Sequence, residues 1–251
     1  MPHAIVWFRN DLRLADNPAL HAALEGGFTP VCVHIHAPEE EGEWRPGAAS
    51  EAWMHHSLAA LDAALRTRGS RLLIRRGPSQ QALSALVRET GAEAVFWNRK
   101  YEPATQPRDA AIKRDLKEQG LQVESFNGAL LFEPWSLATQ QGGPYKVFTP
   151  FWRNALSHMP SPPLHPGVAE KHASESLQSL GLQPALGWDK QFWAIWQPGE
   201  AGAHEALEVF VEGALRGYRS GRDRPDRVGT SLLSPHLHFG EIAPWRICAE
   251  L

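Results

Sequence analysis

The chain has 251 residues, 43% of them hydrophobic, enough for one large domain or two smaller ones around a real core. Its formal net charge of -3 gives no whole-chain basic field, so a nucleic-acid partner must be held by a local patch. Nothing at the N-terminus has the layout of a signal peptide and no apolar run is long enough to span a bilayer, which sets the expectation of a soluble cytoplasmic protein with no membrane contact.

The first half alternates strand and helix signals. His3 to Phe8 is a short apolar run and predicts a buried strand, after which Asn17 and Pro18 offer an N-cap and a first-turn proline for a helix through Leu20, Ala23 and Leu24. Pro30 to Ile35 predicts the second strand. Pro46 to Arg68 predicts a long helix with Trp53, Leu58, Leu61 and Leu65 at helical spacing, ended by Gly69. Arg71 to Ile74 and Ala94 to Trp97 predict two more strands, around a helix that begins after Pro78 and stops at Gly91. A helix from Gln106 to Gln119 and a strand through Leu121, Val123 and Phe126 complete the pattern. The fold class is therefore α/β, a doubly wound five-stranded parallel sheet of Rossmann-like type over residues 1–128.

The turn after the first strand, RNDLRLADN, contains no glycine, and neither a G-x-G-x-x-G nor a Walker sequence occurs. The usual backbone cradle for a pyrophosphate is missing, and the fold alone assigns no ligand. Arg9, Asp11 and Arg13 either line a site at the carboxyl end of the first strand or form a hydrogen-bonded turn that ties loop to sheet. Residues 129–198 are rich in Pro and Gly with little periodicity, apart from a helical look near Phe151 to Leu156, and read as a connector wrapping the first domain. Helical period returns from Ala201, with Ala206, Leu207, Phe210, Val211 and Leu215 on one face, so residues 199–251 read as the start of an all-helical domain.

Within that last segment the order of chemistries points to an anion. Tyr218 lies one helical turn before Arg222. The chain breaks at Pro225 and passes through Gly229 into the hydroxyls of Thr230 and Ser231, and Ser234 with Pro235 has the form of an N-cap and first helical turn. Hydroxyls, free backbone N–H groups and a helix N-terminus would converge as a phosphate requires. The alternative is that Thr230 and Ser234 only cap local turns. For Arg222 the alternative to a ligand role is an ion pair with Asp223 or Asp226.

Four blocks, IVWFRNDLRLADNPAL, WNRKYEP, PYKVFTPFW and YRSGRDRPDRVGTSLLSPHLHFGEI, resemble the DNA photolyase/cryptochrome family and occur in the family's order from end to end of the chain. The resemblance implies an α/β domain that holds an antenna pigment, a connector, and a helical domain that binds FAD. It implies light-driven splitting of cyclobutane pyrimidine dimers in DNA by electron transfer from reduced FAD, in a protein that is monomeric at full length. At matching positions it implies FAD contacts from Tyr218, Thr230, Ser231, Leu232, Leu233 and Ser234, and DNA contact from Arg222. A guanidinium suits that contact because it pairs with a backbone phosphate beside a flipped-out lesion without reading sequence. The alternative within the family is a cryptochrome-like blue-light receptor using the same cofactor loop. A third reading, a stand-alone nucleotide-binding module, suffers from the missing Gly-rich turn.

The chain departs from the family at several points. Leu232 stands where the family usually has Arg, so only backbone contact to the phosphates is expected there. Ala243 replaces a common capping Ser, a loss of about 1 kcal/mol. Ala104 and Thr105 replace the Asn-Glu pair of folate-binding members, which disfavours a folate antenna and leaves a deazaflavin, a flavin or no antenna. Leu251 falls within an expected helix and family members are longer, so the chain is expected to be an N-terminal part, carrying no catalytic residue of its own, binding FAD weakly and showing little repair. The apolar face of Leu207, Phe210 and Leu215 is expected to be exposed and prone to association.

Among the remaining features, Cys32 and Cys248 read as reduced core residues and most of the ten tryptophans as packing residues. His34 and His36 share a strand face but lack further ligands, so no metal site is expected. His236 and His238 lie beside the cofactor loop that the resemblance implies and read as packed, hydrogen-bonded histidines, the alternative being a ligand role. Glu39 to Glu43 reads as a solvated acidic loop.

Overall fold

Apolar runs that cannot show a polar face to water become strands of a sheet covered on both sides. In the computed structural model, which describes residues 1–139, 141–159 and 176–251, the strands are β1 (His3–Phe8), β2 (Thr29–His36), β3 (Leu73–Arg76), β4 (Ala94–Asn98) and β5 (Gln122–Phe126). They pair in parallel in the order β3-β2-β1-β4-β5. The helices between them are α1 (Pro18–Glu25), α2 (Ala48–Arg66), α3 (Ser79–Thr90) and α4 (Thr105–Glu118). Asn17 caps α1 as expected, its side chain accepting from the Leu20 N–H, and Gly91 ends α3 in the left-handed conformation.

β3 begins two residues later than its apolar run suggests. The Leu72 N–H donates instead to Asp62 Oδ1 of α2 at 2.8 Å, so pairing with β2 starts at Leu73. Side chains alternate across the sheet. Val6 and Phe8 pack with Leu20 of α1 and Leu58, Leu61 and Leu65 of α2. Ile5 and Trp7 pack on the other face with Leu83 and Leu86 of α3 and Ile112 and Leu116 of α4.

The connector contributes helix α5 (Phe148–Leu156) and two short 3-10 turns, Leu177–Leu180 and Trp188–Ala194. Leu180 and Leu182 bury themselves in the cluster under α1 and α2, so this part does lie over the sheet domain. Position 140 and residues 160–175 of the connector lie outside the described residues.

The final segment differs from a simple continuing helix. After α6 (Glu200–Val209) come a π turn (Phe210–Ala214), a 3-10 turn (Leu215–Gly217), α7 (Tyr218–Gly221), α8 (Ser234–His238) and α9 (Pro244–Glu250). Leu207 and Phe210 are only 3% and 7% exposed, which overturns the expectation of an open apolar face there. Leu207 packs with Ala203, Leu233 and Ile242, because the chain doubles back and covers it.

One further expectation needs correction: Cys32 is buried but Cys248 is only half-buried. Trp44, Trp135, Trp152 and Trp188 are exposed, while the other six indoles are buried or half-buried, in keeping with packing for most of them. Among the described residues no helix is long and apolar enough to cross a membrane, and no group of three His, Cys, Asp or Glu is placed to hold a metal ion.

Candidate functional site

The loop after β1 is the hinge of the arrangement, because the strand order reverses between β1 and β4 and loops leave the sheet there in opposite directions. Asp11 folds the loop onto itself, accepting from the Arg9 N–H at 2.5 Å and from Asn98 Nδ2 of β4 at 2.7 Å. Arg13 is completely buried, and loss of water lowers its affinity for its proton against the opposing pull of Asp11, Glu200 and Asp16. Its guanidinium donates to the carbonyls of Gly240 (2.8 Å), Gly128 (2.8 Å) and Asp16 (3.0 Å). The tying turn is therefore the geometry found for Asp11 and Arg13, and the tie reaches the C-terminal segment as well as the sheet.

Several further bonds join the same two parts. Glu200, in the first turn of α6, accepts from the N–H groups of Leu14 and Ala15 at 2.8 and 3.0 Å. Arg246 of α9 pairs with both oxygens of Asp16 at 2.9 and 3.1 Å. Gly240 has φ 64, and a Cβ there would lie 2.1 Å from the Asn10 carbonyl oxygen, so only glycine permits this approach.

A buried polar network sits beneath these contacts. Glu241 is fully buried, and its Oε1 accepts from Trp53 Nε1 (2.9 Å) and Ser57 Oγ (2.5 Å) of α2. Its Oε2 lies 2.5 Å from His236 Nδ1. Trp53 stacks on Phe239 at 5.9 Å and meets Trp193 and Trp196 edge-on, which packs the connector against the same seam. His236 is thus a packed, hydrogen-bonded histidine, as its position suggested, whereas His238 is exposed and does not fit the same expectation. Glu241 could not be singled out in the sequence, because its partners on α2, Trp53 and Ser57, lie more than 180 residues away.

Above this network lies a cavity of about 520 Å³ whose lining includes Thr230, Ser231, Leu232, His236, Phe210 and Trp196. The seven residues singled out in the sequence are distributed unevenly around it. Thr230, Ser231 and Leu232 line it, whereas Leu233 is in the core with Leu207 and Ile242. Tyr218 adjoins the cavity through an edge-on contact with Phe210 at 5.7 Å.

Ser234 is exposed and is not the cap of α8. Leu233 holds the cap position without a side-chain bond, and Ser231 Oγ accepts weakly from the Leu233 N–H at 3.4 Å. The reason is local: Leu232 adopts φ 56, a left-handed conformation costing about 1–2 kcal/mol for a residue with a side chain, and this turn shifts the helix start.

Arg222 faces a second, neighbouring depression of about 620 Å³ that shares Val228, Thr230 and Leu232 with the first. Its guanidinium lies 5.8 Å from the Tyr218 ring and 3.5 Å from Asp223 Oδ1, while Asp226 is taken by Arg224. Gly229 holds the intervening loop closed, since a Cβ there would lie 2.3 Å from the Gly221 carbonyl oxygen. The two depressions are therefore adjacent and share the residues of one loop, with Ser231 on the first alone and Arg222 on the second alone.

A third cavity, of about 250 Å³, opens at the carboxyl ends of β1 and β2 and is lined by Trp7, Arg9, His34, His36, Trp44 and Arg108, among others. The Trp7 indole N–H is buried there with no partner among the described residues, and Arg9 and Arg108 lie 4.6 and 5.4 Å from its ring. Burial pushes the His34 imidazole down to about 4, so it is neutral, with Nδ1 3.1 Å from the Phe8 carbonyl. In the acidic run below it Glu39 and Glu43 are exposed, but Glu40 and Glu41 are partly buried and paired rather than solvated. Glu40 accepts from the N–H and hydroxyl of Ser79 at the start of α3, and Glu41 pairs with Lys100 at 2.8 Å.

Comparison with known proteins agrees with this architecture. The DNA photolyase family model matches residues 4–169. A deoxyribodipyrimidine photo-lyase of Agrobacterium fabrum is 48% identical over 248 residues, covering 96% of this chain and 51% of that protein. Cryptochrome-1 of Arabidopsis thaliana is 39% identical over 250 residues, covering 96% and 36%. The crystal structure of a bacterial class III photolyase from Agrobacterium tumefaciens superposes with a TM-score of 0.92 at 45% identity, covering all of this chain and 53% of that one. The chain thus spans about half the length of the photolyases it matches, and it belongs to the DNA photolyase family.

Proposed function

We propose that this chain supplies one wall of an FAD site and an adjoining DNA contact for light-driven splitting of cyclobutane pyrimidine dimers. The observation that carries the reading is the shared loop, with Thr230 and Ser231 on a cavity and Arg222 on an adjoining open depression that Thr230 also lines. Such a loop sets a cofactor beside a DNA backbone, as electron transfer to a dimer in that DNA requires.

The residues present fit the phosphate end of FAD. Two hydroxyls face the cavity, and His236 has Nδ1 committed to Glu241, which leaves its other ring nitrogen available to a ligand in the lining. Glu205 also lines the cavity, a carboxylate that a phosphate would have to keep away from. Bound and reduced, FAD would supply the photoexcited electron donor. In this reading residues 1–128 hold the antenna position, 129–198 connect, and 199–251 open the FAD-binding portion. The cavity at the carboxyl ends of β1 and β2, with its unpartnered Trp7 N–H, is where a second chromophore fits, in keeping with ligand sites of doubly wound sheets. The similarity to a plant cryptochrome supports a second reading, a blue-light receptor built on the same cofactor loop.

The test is a titration of the chain with FAD, followed by flavin fluorescence, for the wild type and Thr230→Ala/Ser231→Ala. Weaker binding in the double variant supports the reading, and equal binding by both overturns the assignment of the cavity. Illuminating full-length protein with dimer-containing DNA separates the two family readings, since reversal of the dimers excludes a pure receptor.

A further inference from the structure

The segment that carries Arg222 is divided by charge. Residues 200–212 contain Glu200, Glu205, Glu208 and Glu212 and no Lys or Arg, whereas residues 213–227 contain Arg216, Arg219, Arg222, Arg224 and Arg227 against Asp223 and Asp226. The boundary falls at the π turn Phe210–Ala214, which rotates the chain after it out of phase with α6. The 3-10 turn Leu215–Gly217, which carries Arg216, runs directly into α7, which carries Arg219, and in a helical run residues three apart are neighbours. Both are exposed.

The five arginines are not equivalent. Arg224 is held by both oxygens of Asp226, at 2.7 and 2.6 Å, a fork-to-fork pair that raises the arginine's pKa and holds the Asp226 carboxyl below its ordinary range. Arg227 donates to the Ser220 carbonyl at 3.1 Å. Arg222 has only the long contact to Asp223. Arg216 and Arg219 have no side-chain partner among the described residues, although Glu212 stands four positions before Arg216.

From this pattern we infer that Arg216, Arg219 and Arg222 form one phosphate-binding stripe for a DNA strand, with Arg224 withheld from it by Asp226. The inference rests on the proposal that the chain contacts DNA through Arg222, and extends it to residues that the family resemblance did not mark. Six residues of helix rise about 9 Å, and one DNA strand presents a phosphate roughly every 3.4 Å of axis. Three mobile guanidiniums along that length match two to three consecutive phosphates. Such contacts fix position without reading bases.

The experiment measures binding of the 251-residue chain to a short duplex oligonucleotide across a salt series from about 50 to 200 mM. Each phosphate neutralised contributes about 0.9 to the slope of log K against log salt. Arg216→Ala/Arg219→Ala is expected to lower the slope by about 1.8. Arg216→Lys/Arg219→Lys, which keeps the charge, is expected to retain it. Arg224→Ala is expected to change nothing, and Asp226→Asn to raise the slope. An unchanged slope in the Ala double variant, or a drop of equal size in Arg224→Ala, overturns the stripe. If Arg222→Ala lowers the slope while the double variant does not, only the stripe falls. If none of the variants alters it, the DNA contact at Arg222 falls as well.

Discussion

Removing the Glu241 side chain is the perturbation that tests the architecture most directly. In Glu241→Ala the indole N–H of Trp53, the hydroxyl of Ser57 and the Nδ1 of His236 all lose their acceptor in a place that water does not reach. Each orphaned buried donor costs about 1–3 kcal/mol, and because the three share one acceptor their sum is not additive, which sets the expected loss at about 3–5 kcal/mol. At about 2–4 °C per kcal/mol for a chain of this size, the melting temperature should fall by roughly 6–20 °C. Glu241→Gln keeps an oxygen for Trp53 and Ser57 and should lose less than half as much.

Thermal and urea unfolding followed by tryptophan emission and by circular dichroism give the measurement. Trp53 donates to Glu241 directly, so Trp53→Phe combined with Glu241→Ala should be less destabilising than the two losses added together. A change under about 2 °C in Glu241→Ala would refute the reasoning. It would mean that the network is not what holds the C-terminal segment on α2.

Gly240→Ala should destabilise by about 2–3 kcal/mol in urea denaturation, since the new Cβ combines positive φ with a collision against the Asn10 carbonyl; a neutral result would show that the two loops do not approach so closely. His34 titrates at about 4 in the folded chain against 6.5 unfolded. Between those values the unfolded state binds a proton that the folded state does not, so stability falls as pH drops from 6.5 to 4, by roughly 3 kcal/mol in the limit. His34→Gln should remove that part of the slope, and an NMR midpoint near 6.5 for His34 would contradict it. Burial pushes the Cys32 thiol up to about 12, so the native chain at pH 8 should react with a thiol reagent at Cys248 alone, and rapid labelling at Cys32 would show that the sheet opens.

Local chemistry was enough to place most elements of the first half. Asn17-Pro18 starts α1, Gly91 stops α3, and runs such as Ala4 to Phe8 have no option but burial on both faces. These signals lie within a few residues of the structure they specify, and the four family blocks are legible for the same reason. The hydroxyls of Thr230 and Ser231, which line a cavity, were likewise visible in the run itself. What the sequence could not show was every consequence of the chain returning on itself. The apolar face of Leu207 and Phe210 looked exposed until Leu233 and Ile242 packed on Leu207 and Tyr218 met Phe210. Ser234 looked like a cap until the left-handed turn at Leu232 displaced the helix start. Glu241 and Arg13 are polar residues buried largely through partners more than 100 residues distant, Trp53 and Ser57 for the one and Gly128 and Gly240 for the other. Periodicity reports which side of an element is apolar, whereas the identity of what covers it depends on contacts across the whole chain, and these only the tertiary structure decided.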